Sequence, residues 1–586
     1  MTGPLSSSRS LGPDAGTRLH VRWLGRVRYQ DAHALQLGLF AEADDDHLLL
    51  LEHPPVYTLG VRGDLGHFVR SPADVGAELV HTDRGGDVTY HGPGQLVGYP
   101  ILTVPGRRGG GLADTTAYVG SVEQLVIDVL ADLGLPDVGR LPGFPGVWVE
   151  PDGPSPRKIC AVGVKLSRGR SMHGFALNVH PDLAMFGHIV PCGIADKGVT
   201  SLAAEGIDVT MQRVVDRVAA RAGERWAPGR TDRADVVWRH VPEDLAPFSR
   251  QPAVLAAELS QDRSEVPQER VVVVGVTARR GARLAEAGVT EGLEISARKP
   301  EWMRAQLKHT PEVRAVRSTM RDLQLVTVCE EAGCPNLSEC WADGTATFMV
   351  NGERCTRACG FCLVDTRHPE APDPGEPARV AEAVERMGLR FAVVTTVARD
   401  DLADGGASQI VATIRAIRAR TPGVSVEVLI SDCKGDPDSL AAIFSERPDV
   451  LAHNLETVAR LQRAARPSAG YARSLSVLAR AKAVGLTTKS SLVVGMGETQ
   501  AEVVEALADL RGVGVDIVTI GQYLRPTADH LPVARWWTPA ELTELKVAGE
   551  AMGIGHVEAG PLVRSSYHAR QSADSVVSPH GAVAGV

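Results

Sequence analysis

The chain has 586 residues, more than a single domain of about 100–200 residues accounts for. Hydrophobic residues make up 44% and charged residues 23%, a globular mix that excludes disordered, collagen-like and fibrous proteins. A net charge of −9 argues against a large basic nucleic-acid footprint, and no apolar run approaches the roughly 18 residues that span a bilayer. Residues 1–20, rich in Ser, Gly, Pro and Arg with no apolar stretch, read as a flexible tail rather than a secretory signal.

From about residue 20 to 226, strand and helix patterns mix. Val119, Val122, Leu125, Val126, Val129 and Leu130 follow the 3.6-residue helical period and predict a helix over 116–133, ended by Gly134 and Pro136. Residues 158–166 and 172–179 read as two strands, with 167–171 as the hairpin loop between them. Upstream lies Arg84-Gly85-Gly86-Asp87-Val88-Thr89-Tyr90-His91-Gly92-Pro93-Gly94-Gln95. Its density of glycine beside Arg, Tyr and His fits a loop pressed against a ligand, and equally a Gly-rich surface loop. No Gly-Lys-Ser/Thr follows, which excludes a phosphate-cradling P-loop. Lys158 opens a predicted strand, and Cys192 sits between Pro191 and Gly193. A neighbouring ammonium stabilises a thiolate, so the two suit nucleophilic chemistry. A lone cysteine is more often a core residue.

Periodicity weakens beyond residue 228, and a linker is expected over 231–293, with a possible strand at 271–276. After Gly388 apolar runs at 391–397, 424–430, 449–453, 489–494, 515–520 and 554–558 alternate with helical patterns such as 408–418 and 499–510. Repeated strand–helix units predict a parallel sheet covered on both faces, closed wholly or partly into a barrel with its chemistry at the C-terminal strand ends. Gly495-Met496-Gly497-Glu498-Thr499 lacks the third glycine of a dinucleotide fingerprint and predicts a tight strand-to-helix turn.

Cysteine usage carries the strongest chemical signal. There are nine, an odd count, and six fall between Cys329 and Cys362. Such clustering in a long chain points to metal or catalysis in a reducing, cytoplasmic setting rather than to a disulfide framework. Cys355, Cys359 and Cys362 have the spacing C-x3-C-x2-C directly after the apolar segment 347–350. Three thiolates on one loop hold three irons of a [4Fe–4S] cube and leave the fourth open. Zinc is the alternative, and the triplet without a paired His favours iron–sulfur. A second triplet, Cys329, Cys334 and Cys340, is spaced C-x4-C-x5-C. Taken alone it also suits an extended zinc site or a structural cluster. Cys433 stands isolated and receives no role.

The first triplet on a parallel barrel resembles the radical S-adenosylmethionine superfamily, whose open iron binds that cofactor and generates a hydrogen-abstracting radical. With the second triplet, the resemblance narrows to lipoyl synthase. It continues through Thr396-Val-Ala-Arg-Asp-Asp-Leu-Ala-Asp-Gly-Gly-Ala407, His453-Asn-Leu-Glu-Thr457, Gly521-Gln-Tyr-Leu-Arg-Pro526 and Val563-Arg-Ser-Ser-Tyr567. Ser431 and Ser491 depart from the usual family residues, away from any ligand position. The resemblance implies two [4Fe–4S] clusters, S-adenosylmethionine, and an electron donor such as ferredoxin or flavodoxin. It also implies sulfur insertion at C6 and C8 of a protein-bound octanoyl chain. Cys329, Cys334 and Cys340 would hold the auxiliary cluster, with Ser566 as its fourth ligand.

The N-terminal motifs, together with Ser171-Met-His173-Gly-Phe-Ala-Leu-Asn178, resemble the octanoyltransferase of the lipoate pathway. That family shares the biotin/lipoate protein ligase fold, and its catalytic Lys precedes its Cys by the 34 positions found here between Lys158 and Cys192. Met172 replaces a commoner Phe. The resemblance implies ping-pong transfer from octanoyl–acyl carrier protein to a lysine of a lipoyl domain, whether of a 2-oxoacid dehydrogenase E2 or the glycine cleavage H protein. Cys192 would be the nucleophile and Lys158 its partner. Arg84, Gly85, Gly86, Asp87, Val88, Thr89, Tyr90 and His91 would contact the acyl substrate, as would Ala161, Val162, Gly163, Gly174, Phe175 and Ala176. An ATP-dependent ligase would not need the Lys–Cys pair. The expected architecture is α/β in two domains: an α+β transferase domain over 21–230 and a partial (β/α) radical barrel over 294–586, giving a bifunctional enzyme. A zinc-stabilised scaffold with an inactive transferase-like domain is the rival from another class.

Overall fold

The computed structural model describes residues 17–106, 113–190, 197–236, 278–296, 298–304, 311–327, 336 and 346–577. The chain divides into two compact units, Met1–Gln268 and Glu269–Val586. Among the described residues, no helix is long and apolar enough to cross a membrane.

Among the described residues the N-terminal unit holds twelve strands: β1 (Leu19–Arg26), β2 (Asp46–Glu52), β3 (Val56–Leu59), β4 (Glu78–His81), β5 (Val88–His91), β6 (Gln95–Ile101), β7 (Val138–Leu141), β8 (Phe144–Val149), β9 (Arg157–Ser167), β10 (Arg170–Asn178), β11 (Gly198–Val199) and β12 (Thr231–Asp235). The main sheet runs β12-β1-β2-β6-β10-β9-β8-β7, with β11 added against β9, and β4-β3-β5 form a second, smaller sheet. Helices α2 (Thr115–Asp132) and α3 (Met211–Trp226) bury Val122, Val126, Val129, Val214, Val215 and Val218 in one core with β1, β2 and β6. Asp114 and Thr210 start these helices by accepting bonds from Ala117 N at 3.1 Å and Arg213 N at 3.3 Å. A further helix, α1 (Tyr29–Glu42), packs on β6 and β10.

Several boundaries differ from expectation. The five-residue hairpin loop shrinks to Arg168-Gly169, both at positive φ (51° and 76°), and Ser167 pairs directly with Arg170. A two-residue turn of this hand matches the twist of the flanking strands. The expected linker over 231–293 loses its start to β12, which pairs in parallel with β1. Its end is also ordered, since Ala278–Glu286 is helical. The polarity of Thr231–Asp235 hid the strand. Asp232 sits 2.5 Å from Arg22, and Arg233 sits 2.8 Å from Asp216 and 2.9 Å from Asp235, so its charges are buried in pairs. The tail also ends earlier than expected, with β1 beginning at Leu19. The strand expected at 271–276 lies outside the described residues.

The C-terminal unit is built on β13 (Val326–Thr327), β14 (Thr347–Val350), β15 (Phe391–Thr396), β16 (Ser425–Leu429), β17 (Val450–Ala452), β18 (Thr488–Val494), β19 (Ile517–Gln522) and β20 (His556–Gly560). They are ordered in sequence; β14 to β20 are parallel and β13 is antiparallel at the edge. Helices join successive parallel strands, as 407–420 joins β15 to β16 and 500–512 joins β18 to β19. Thr499 with Glu502 and Thr538 with Glu541 form reciprocal capping boxes at two helix starts. The turn at Gly495 and Gly497 is the expected strand-to-helix turn, with φ of 105° and 117°. Cys433 is buried at 2% exposure under Gly405, where an added Cβ would come within 2.9 Å of its Cα.

Candidate functional site

Each unit contains a cavity bearing the motifs read from the sequence. In the N-terminal unit it measures about 590 Å³ and is lined by Tyr29, Arg84–Asp87, Thr89, His91, Lys158, Ala161–Val164 and His173–Ala176. The register of β9 and β10 explains the lining, because Gly163 faces Gly174, Val162 faces Phe175 and Ala161 faces Ala176. Glycine is needed here for backbone approach. A Cβ on Gly174 would fall 2.2 Å from Gly98 O, and one on Gly163 would fall 3.0 Å from Gly85 O.

The Arg84–His91 segment divides by the pleat of β5. Thr89 and His91 line the cavity, whereas Val88 and Tyr90 point into the core of the small sheet with Tyr57, Leu59 and Phe186. Of the eight residues expected to contact the acyl substrate, these two turn their side chains to that core. Arg84 lines the cavity but spends its guanidinium on the loop, donating from Nη2 to Thr58 O and Asp87 O at 2.7 Å each. Asp87 accepts from Asp64 N at 3.0 Å and pairs with His67 Nδ1 at 2.5 Å. Burial pushes His91 down to about 3, so it is neutral, and its Nδ1 bonds Gln95 Oε1 at 2.7 Å.

Lys158 also lines the cavity, with Nζ 4.7 Å from the centre of the Trp148 ring. Trp148 is 1% exposed, and its Nε1 donates to Phe144 O at 3.0 Å. Lys197 Nζ lies 5.2 Å from the Phe144 ring. Phe144 and Trp148 were not singled out in the sequence, where no strand was read over 144–149. Cys192 lies outside the described residues. After it the chain pairs Gly198 with Arg157 and Val199 with Lys158.

In the C-terminal unit a cavity of about 540 Å³ opens at the C-terminal ends of the parallel strands. Met349, Thr395–Ala398, Leu429–Ser431, Ser491–Val493 and Tyr523–Pro526 border it, and Cys355, Cys359 and Cys362 all line it. Backbone bonds stitch the thiol loop down: Cys355 N to Asp365 O at 2.8 Å, Thr356 N to Ala398 O at 3.0 Å and Gly360 N to Ala465 O at 2.8 Å. Between the cysteines, Arg357 grips Asp400 with two bonds of 2.7 Å and Asp432 with one of 2.6 Å. Burial pushes the Asp432 carboxyl up, yet Arg357 outweighs it and holds the group at about 2. Arg357 was missed as a positioning residue, although both it and Asp400 lay inside quoted motifs.

The donor set fits an iron–sulfur cluster with an open site. Burial raises Cys359 and pushes Cys362 up to about 12, and a bound metal would favour their deprotonated sulfurs. His453, on the cavity lining, is no spare ligand: its Nδ1 lies 2.9 Å from Ile430 O and its Nε2 3.1 Å from Ser474 Oγ. The Cys355–Cys359–Cys362 set therefore offers three sulfurs, as an open-iron cube requires.

Cys329, Cys334 and Cys340 lie outside the described residues. Within their motif, Asn336 is described: it is 3% exposed, and its Nδ2 donates to Leu562 O at 2.5 Å. This bond ties Asn336 to the segment that precedes Arg564-Ser565-Ser566. Ser565 lines the cavity, while Ser566 is half-buried and not on its lining.

A three-thiol loop at the mouth of a partial parallel barrel defines a radical S-adenosylmethionine enzyme. The family model for the radical SAM superfamily matches residues 349–510, and that for the lipoyl protein ligase A/B catalytic domain matches 28–222. Lipoyl synthase from Rubrobacter xylanophilus is 55% identical over 278 residues, covering 47% of this chain and 87% of that protein. Lipoyl synthase from Beutenbergia cavernae is 54% identical over 292 residues, covering 50% and 88%. The match to a bipartite lipoate protein ligase with its E2 lipoyl domain from Thermoplasma acidophilum covers 44% of this chain and 100% of that one, at 18% identity and a TM-score of 0.32. Through its C-terminal half the chain belongs to the lipoyl synthase family, and a second catalytic domain precedes that half.

Proposed function

We propose that the chain performs two consecutive steps of lipoyl assembly. In the first, the Cys192 thiolate attacks the thioester of octanoyl–acyl carrier protein and the carrier thiol leaves with a proton from Lys158. The amine of a lipoyl-domain lysine, of E2 or H-protein type, then attacks the enzyme thioester, and Cys192 departs as thiolate while Lys158 takes up the surplus proton. The observation that carries this half is Lys158 on the wall of a glycine-lined cavity. The Lys158 ammonium is placed there against the Trp148 ring.

In the second step the octanoyl chain receives sulfur at C6 and C8. Cys355, Cys359 and Cys362 would hold the radical-generating cluster, and Cys329, Cys334, Cys340 and Ser566 the auxiliary one. When bound, these groups and S-adenosylmethionine supply one-electron hydrogen abstraction and sulfide, fed by a ferredoxin or flavodoxin. The chain's own part is to fix the thiol loop through Arg357 and to enclose the reacting chain in the strand-end cavity. The Asn336 bond to Leu562 supports the pairing of the second triplet with the Ser566 segment. This chemistry belongs to the cytoplasm, where the acyl carrier and reductant are found. We take the transferase domain as about 21–230 and the synthase domain as about 294–586.

The test is mass spectrometry of a lipoyl-domain lysine after incubation with octanoyl–acyl carrier protein, S-adenosylmethionine and reductant, without ATP. Successive octanoyl and lipoyl mass shifts are expected. Modification only when ATP and free fatty acid are added would replace the transferase by a ligase. A colourless protein with stoichiometric zinc would overturn the second half.

A further inference from the structure

Three metal-ligating side chains from three elements meet at the edge of the N-terminal cavity. His33 comes from α1, Asp83 from the loop after β4 and His173 from β10, and their ligand atoms lie within 4.8 Å of one another. Asp83 Oδ1 is 2.7 Å from His173 Nε2 and 3.6 Å from His33 Nε2. The two imidazoles stack with centres 5.6 Å apart and planes 16° apart. The other carboxylate oxygen, Oδ2, accepts from Lys165 Nζ at 2.6 Å. One carboxylate oxygen is thereby pinned toward a cation, and its twin is turned to two ring nitrogens.

We infer that His33, Asp83 and His173 form a binding site for a divalent transition-metal ion of the zinc class, with His33 Nε2, His173 Nε2 and Asp83 Oδ1 as its ligands. Two imidazoles and a carboxylate are a donor set zinc accepts, at about 2.0–2.2 Å. Atoms arranged tetrahedrally at that radius stand about 3–3.5 Å apart. The observed 2.7 Å and 3.6 Å bracket this spacing, and all three ligand atoms lie within 4.8 Å of one another.

The ionisation states suit a metal as well. Ligation needs a neutral imidazole and a charged carboxylate. Burial pushes His173 down to about 4, which leaves the ring neutral. Burial opposes ionisation of Asp83, yet Lys165 and His173 hold it well below the ordinary carboxylate range. Lys165 on the outer oxygen is the kind of second contact that orients a ligating carboxylate.

The backbone is arranged to hold the site. His173 has φ of 58°, a left-handed conformation unusual for a non-glycine residue within a strand. Its amide donates to Gln36 Oε1 at 2.9 Å, and Gln36 lies three residues beyond His33 on α1. One helix therefore supplies a ligand and also fixes the strained residue that supplies the other. The His173 side chain is 1% exposed, while His33 and Asp83 are 26% and 40% exposed, so an ion enters from solvent and keeps an open position there. His173 lines the acyl cavity and His33 does not, so loading would stiffen the cavity wall at Gly174 without occupying the cavity.

The experiment uses the full chain with its iron–sulfur clusters loaded, titrated calorimetrically with zinc chloride, beside His33→Ala and Asp83→Asn. Wild type should bind one zinc ion that each variant loses or holds at least about 100-fold more weakly, with iron content unchanged. His33→Gln keeps the helix and side-chain size without the imidazole and should behave as His33→Ala does if the latter folds poorly. A crystal soaked in zinc should give an anomalous peak among the three ligand atoms. Equal stoichiometry and affinity in wild type and His33→Gln, or no peak at that position, would overturn the site. The readout is zinc binding, so acyl transfer can fail without touching this result, and the reverse.

Discussion

The two cavities are shaped by opposite means. The N-terminal one is made by leaving side chains out: Gly98, Gly163 and Gly174 let β6, β9, β10 and the Arg84 loop come so close that a methyl group would strike a carbonyl or a ring. Even Arg84 turns its charge onto backbone oxygens. The C-terminal cavity is made by putting charges in. Arg357 is clamped between Asp400 and Asp432, and the thiol loop hangs on that clamp. A surface of backbone and apolar groups suits a fatty acyl chain, whereas a redox centre needs its ligands fixed against a large change of charge. The first site should therefore be sensitive to added volume and the second to removed charge.

The largest effect separates the halves outright. Replacing Cys355, Cys359 and Cys362 by Ala should abolish S-adenosylmethionine cleavage, measured as 5′-deoxyadenosine release. Octanoyl transfer by the same protein should stay within about twofold, since a rate change that small is under about 0.5 kcal/mol. Loss of transfer in this variant would show that the two sites do not act independently.

The next effect probes the clamp. Asp432 has a fully buried side chain, and Arg357→Met leaves its charge without its main partner, a loss that typically costs about 3–5 kcal/mol. Cluster occupancy, read as iron per chain, should fall with stability. The pH dependence follows from the sign of the shift. Asp432 is held below its ordinary value, at about 2, so its contribution is complete above the unfolded carboxylate's value near 3.8. It is lost as the pH falls toward 2. Wild type should therefore lose stability over that interval more steeply than Arg357→Met, and parallel acid-unfolding curves would break the argument.

What the sequence disclosed follows the same division. Strands β15 to β20 were legible as apolar runs, and β15 to β19 are largely buried, as parallel strands covered on both faces are. By contrast β12 reads Thr-Asp-Arg-Ala-Asp and was taken for linker, since its burial depends on partners such as Arg22 and Asp216, far away in sequence. The cysteine spacing placed Cys355, Cys359 and Cys362 on one cavity, because ligands on a single loop are a local property. The facing of Val88 and Tyr90 was not legible because a motif states proximity along the chain, while the pleat decides which face each side chain serves. Trp148 stayed hidden because its role comes from cross-strand register with Lys158, which only the folded sheet specifies.

The smallest effect expected is at that register pair. Trp148 puts its ring under the Lys158 ammonium at 4.7 Å, and such a contact is worth about 0.5–2 kcal/mol depending on how dry it is. Trp148→Phe keeps an aromatic face but loses the bond from Nε1 to Phe144 O, so octanoyl transfer should fall by about two- to fivefold. Trp148→Leu removes the face altogether and should cost about tenfold or slightly more. Trp148 is not on the cavity lining, whereas Lys158 is, so the loss should appear in kcat with KM little changed. Thermal unfolding separates this from simple packing. Both variants lose volume at a residue only 1% exposed and both should melt lower, but only the order Trp, Phe, Leu in kcat follows the aromatic face. If Phe and Leu were equally slow, Trp148 would be acting as bulk, and Lys158 would take its position from the strand alone.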